Sequence, residues 1–74
     1  MNANSEVSGM FFGQMISVAR ERSRLSLREL AEMVGASAAT LSRIEAAGHI
    51  PRNHLITRLI QVLKLNEKSV HARI

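Results

Sequence analysis

Seventy-four residues allow one domain with one small core, and without cysteine no disulfide can staple it. Ten Lys and Arg against six acidic residues leave a net charge of +4, a modest pull toward polyanions. No apolar run approaches the ~18 residues of a membrane span, and no phosphate-cradling Gly loop, nucleophile elbow or metal-protease motif occurs, which points away from a membrane protein and from an enzyme.

Residues 1–9 are polar, small and without periodicity, and they read as a flexible N-terminal tail ahead of a domain over residues 10–74. The tail has no Lys or Arg, so it makes a poor groove-reaching arm. Phe12, Met15, Ile16 and Ala19 then fall on one stripe of a helix that ends near Arg22 to Arg24. Phe11 and Phe12 are the only aromatics. At least one should anchor the core, and two are too few for a base-stacking surface.

Residues 26–45 read as two short helices around a tight turn. Ser26 with Glu29 three residues on has the spacing of a capping box. Leu27, Leu30, Ala31 and Val34 make one apolar stripe, and Gly35 stands just past it, where positive φ is cheapest for glycine. Ser37 can cap the second helix, in which Leu41, Ile44 and Glu45 point inward and Ala38 lies on the boundary. Ala39, Ser42, Arg43 and Ala46 point outward, with Thr40 beside them. Helices this short and this close must cross steeply, which defines a helix-turn-helix unit.

Residues 46–53 form a loop punctuated by Gly48 and Pro51. Arg52 and Asn53 could reach a phosphate from it, and Asn53 also suits as cap of the next helix. His49 could add a phosphate contact when protonated, although a lone loop His is more often plain surface. Leu55, Ile56, Leu59, Ile60 and Leu63 give the next helix a broad apolar stripe, expected to lie under the other three as the core helix. Asn66 can cap a last short helix over residues 67–73. Leu65, Val70 and Ile74 then form an apolar edge with two uses: dimer contacts, or closure of the core.

Leu25-Ser26, Glu29-Leu30-Ala31, Gly35, Ser37, Leu41-Ser42-Arg43-Ile44-Glu45 and Gly48, taken together, resemble the Cro/repressor-type (XRE-like) helix-turn-helix regulators. In weaker form the likeness covers residues 12–70. It implies an all-α, compact five-helix, lambda-repressor-like DNA-binding domain. It implies that the outward face of the second helix enters the major groove, with Ala38, Ala39 and Arg43 at base-reading positions and Ser42 and Thr40 near them. Ser26, Arg28, Ser37, Arg52 and Asn53 become the phosphate-contacting candidates, and Arg20 with Glu45 the structural ion pair. The chain departs from the pattern in three places. Ala38 and Ala39 stand where many members carry Gln, Leu27 stands where a Gln commonly follows the cap, and the loop after Glu45 is one residue longer than usual.

Those departures shape the chemistry. Two alanines offer only methyl contact, which suits the thymine C5-methyl, and Arg43 can grip guanine O6 and N7. Arg43 could equally contact phosphate, and both readings stand at this point. The function implied is a sequence-specific regulator of transcription on double-stranded DNA, in the first place a repressor holding a palindromic operator as a homodimer. The alternative is a protein-interaction module, an antitoxin or anti-repressor partner, and polymerase is a further conceivable partner. His49, His54 and His71 have no pair spacing and no Cys beside them, so no metal or other cofactor is expected. A chain without Cys is simplest to place in a reducing cytoplasm.

Overall fold

The computed structural model describes residues 3–73, with side chains described for residues 10–72. Five helices follow one another: α1 (Ala3–Arg22), α2 (Leu27–Val34), α3 (Ala38–Ala47), α4 (Asn53–Leu63) and α5 (Glu67–Arg73). Among the described residues there is no strand. No helix is long and apolar enough to cross a membrane.

Local chemistry sets the helix ends. The α2 capping box is complete: Ser26 Oγ accepts from the Glu29 amide at 3.0 Å, and the Ser26 amide donates to Glu29 Oε1 at 2.8 Å. Gly35 closes α2 at φ 73°, and its amide donates to the Ala31 carbonyl. Ser37 Oγ accepts from the Thr40 amide at 3.0 Å to start α3. Asn66 Oδ1 accepts from the Ser69 amide at 3.0 Å to start α5.

Two boundaries differ from the sequence pattern. Helix α1 begins at Ala3, within the stretch assigned to a tail. Periodicity detects only helix that packs, and with no Pro in residues 3–9 the backbone can propagate backward from the packed part. The N-cap of α4 is Arg52, not Asn53, and it makes no side-chain capping bond. The Arg52 carbonyl accepts from the Leu55 and Ile56 amides at 3.0 and 3.1 Å, so Asn53 is already helical and its own carbonyl accepts from Thr57 Oγ1.

The core gathers Phe12 and Ile16 from α1, Leu30, Ala31 and Val34 from α2, and Leu41 and Ile44 from α3. Leu55, Ile56, Leu59 and Leu63 from α4 and Val70 from α5 complete it. Among the described residues no polar side chain is buried with them. The element at the centre is α1, which packs on α3, α4 and α5, whereas α4 packs on α1 and α2. Helix α4 brings Leu55, Ile56, Leu59 and Leu63 into the core, as its broad apolar stripe predicts. A wide apolar stripe marks α4 as buried but does not say which helix the others share. Gly13 explains the central place of α1: a Cβ there would overlap the Ile44 carbonyl oxygen, so only glycine lets α1 lie this close to α3.

Candidate nucleic-acid interface

Helix α3 is held from beneath and left open above. Leu41 and Ile44 are wholly buried, while Ala38, Ala39, Ser42, Arg43 and Ala46 are exposed. Side chains three or four residues away on a helix are the surface neighbours of a given position. For Arg43 these are Ala39, Thr40, Ala46 and Ala47, none of them acidic. Among the described residues Arg43 accordingly has no ion pair or side-chain hydrogen bond, and its guanidinium keeps its donors for a ligand.

Arg20 is the opposite case. Its Nε donates to Glu45 Oε2 at 2.8 Å and its Nη2 to Glu45 Oε1 at 3.1 Å, a bidentate pair from α1 to α3. The side chains are only 15% and 10% exposed. The hydrogen bond to Glu45 raises the Arg20 pKa above its ordinary value, with burial opposing. The partly buried Arg20 guanidinium is thus committed to structure.

Ser37 and Thr40 are occupied with each other at the front of α3. Their hydroxyls lie 2.9 Å apart, and Thr40 is half-buried. Thr40 is therefore less open for base reading than its neighbours Ala39 and Ser42. At the start of α2 the Ser26 hydroxyl serves the capping box, while Arg28 is exposed and its side chain makes no bond among the described residues. The first-turn amides of Leu27 and Arg28 have no acceptor in the helix, an arrangement that suits an anion.

The loop between α3 and α4 folds back toward the front of α3. His49, Arg52 and His54 line one shallow depression together with Ala36 and Thr40. Arg52 thus stands beside the leading end of α3. Asn53 is exposed at the first turn of α4. His54 escaped the sequence reading of this surface because helical periodicity assigns it only an outward position, and the loop fold that brings it beside His49 is tertiary.

Of the three residues named for the apolar edge, the two described ones pack on the core, the second of the uses named for them. Val70 is wholly buried against the core, Leu65 is half-buried and packed on it, and Ile74 lies outside the described residues. A buried Val70 offers nothing to a second copy. The short α5 is amphipathic enough to be pulled onto α1, and that closes the core.

Comparison with known proteins adds one match. The family model described as a helix-turn-helix domain covers residues 12–72, most of the chain and all of α2, α3, α4 and the turns between them. No curated protein and no solved structure gives a match. A capped helix, a left-handed glycine turn and a second capped helix with its outer face bare all lie inside the matched span, and the chain belongs to the helix-turn-helix domain family, a DNA-binding family.

Proposed function

We propose that this chain is a sequence-specific double-stranded DNA-binding regulator of transcription, acting as a repressor that occupies its operator as a homodimer. The observation that carries the reading is the bare outer face of α3. An uncommitted Arg43 stands one turn behind Ala39, and the two leading alanines leave the helix slim enough to enter a major groove deeply. Arg28 and Arg52, both exposed and unpaired, supply phosphate contacts on either side. A reader with so few base-edge donors needs a second half-site about one DNA turn away, which favours a dimeric complex. Shape readout completes the discrimination. Repression then follows from occupying the DNA that polymerase needs.

The test is selection of duplexes from a random pool by the full chain, followed by titration of the winner at several salt concentrations. The reading expects an inverted-repeat consensus and an affinity that falls steeply with salt, with a log–log slope near −0.9 per phosphate neutralised. A pool that yields no consensus at any ionic strength overturns it.

A further inference from the structure

We propose that a groove on the far side of α1 from α3 docks an acidic amphipathic helix of another protein. Phe12, Gly13, Ile16 and Arg20 face α3 or the core. Phe11, Met15, Val18 and Arg22, spaced by four, three and four residues, form a separate stripe of α1. That stripe and the turn between α4 and α5 bound a groove of about 510 Å³. Leu63 and Leu65 give it an apolar second wall. Val18 is 42% and Phe11 49% exposed, an unusual outlay of apolar surface for a chain this small. From Phe11 to Arg22 the stripe runs about 16 Å, the length of three helical turns. An apolar trough of that length matches the helix-in-groove mode of recognition.

Charge selects the occupant. Arg22 and Lys64 stand on the rim, both exposed, and among the described residues neither is in an ion pair and no acidic side chain lines the groove. A partner helix with apolar anchors flanked by Glu or Asp meets both demands, and one flanked by Lys meets only the apolar one. Orientation argues against a second copy of this chain. A two-fold contact through this side of α1 would send the two α3 helices in opposite directions, away from any shared duplex. The exclusion of a second copy rests on the proposed DNA reading, whereas the groove itself shares no residue with the outer face of α3.

The experiment displays a library of helical peptides, randomised among Leu, Ala, Glu and Lys, against the intact chain. Enriched peptides are then measured by fluorescence anisotropy. The expected result is enrichment of Leu at three- and four-residue spacing with Glu beside it. Val18→Asp, on an exposed position that leaves the fold intact by circular dichroism, should weaken the best peptide by about tenfold or more. Arg22→Glu with Lys64→Glu should turn the preference toward Lys-bearing peptides. Enrichment without charge bias, or binding indifferent to Val18→Asp, overturns the proposal. So does sedimentation in which the chain dimerises and Val18→Asp makes it monomeric, since the occupant is then a second copy. Failure of DNA selection leaves each of these outcomes readable.

Discussion

Arg20 holds Leu25 by both of its polar ends while gripping Glu45. Its carbonyl accepts from the Leu25 amide at 3.1 Å, its Nη1 donates to the Leu25 carbonyl at 2.7 Å, and the rest of its guanidinium takes the Glu45 carboxylate. One side chain therefore fixes the end of α1, the turn into α2 and the inner edge of α3. Glu45→Ala leaves a partly buried guanidinium without its counterion, and should cost roughly 1–3 kcal/mol, between the values for exposed and fully buried pairs. Thermal melts should show a fall on the order of 10 °C. A double-mutant cycle with Arg20→Ala should return a coupling above about 0.5 kcal/mol. An unchanged melting temperature for Glu45→Ala would mean that the pair is ornamental. Alkali should not break it at moderate pH. The folded-state Arg20 value is raised, so the contribution is complete below the ordinary guanidinium value and lost only as pH climbs through the higher folded one.

Gly13 sets how near α1 comes to α3, and Gly13→Ala tests that directly. Alanine improves helix propensity by roughly 0.5–1 kcal/mol. The added methyl, however, overlaps the Ile44 carbonyl oxygen, which is backbone and cannot rotate away. Separation of the two helices should dominate, for a net loss of about 1–3 kcal/mol. Urea denaturation reads the sign. A stabilised variant would show that the close approach is not required.

The contrast between these two sites explains how much of the molecule was legible in advance. Ser26, Glu29, Gly35 and Ser37 announce themselves because caps and left-handed turns are local, and each is where the spacing puts it. Arg20 and Glu45 were paired through family resemblance, since no local rule joins residues 25 positions apart. Gly13 was silent: a glycine within an apolar stripe carries no sign of what crosses above it. Val70 was open to two readings because a seven-residue helix is buried or not by tertiary packing alone. Asn53 looked like a cap by residue type, yet the turn after Pro51 brings Arg52 into the capping conformation first, at φ −67° and ψ 156°. At the interface, the outward face of α3 follows from helical phase, whereas the depression shared by His49, Arg52 and His54 depends on how the loop folds back.

The capping box predicts a specific acid sensitivity. The Ser26 amide, and after it the Ser26 hydroxyl, hold the Glu29 carboxyl below the usual carboxylate value. A lowered folded-state value means that the contribution is present above the unfolded value and lost as pH falls through the folded one. Glu29→Gln keeps an acceptor for the Ser26 amide but cannot titrate. Denaturant midpoints collected from neutral to acidic pH should therefore fall less steeply for Glu29→Gln than for the parent chain, the two converging in acid. Parallel acid limbs would place the charge of Glu29 outside the stability of α2.

Arg43 and Arg52 should separate base reading from phosphate anchoring. Arg43 projects from a helix face otherwise made of methyl groups and one hydroxyl, and the nearby Glu45 is held by Arg20 on the inner side. On an α3 seated in the major groove, its fork reaches the guanine edge more readily than the backbone, because Ala39 leaves the space in front of it open. Arg43→Ala should weaken the selected duplex by about 1–3 kcal/mol and a scrambled duplex far less, relaxing the preference at one base pair of each half-site. Arg52 lies off that face, at the start of α4. Arg52→Ala should weaken both duplexes alike and reduce the salt slope by about one. Should Arg43→Ala also lower both affinities equally, with the same change in slope, Arg43 is a phosphate contact and discrimination must come from the alanine methyls and the shape of the DNA.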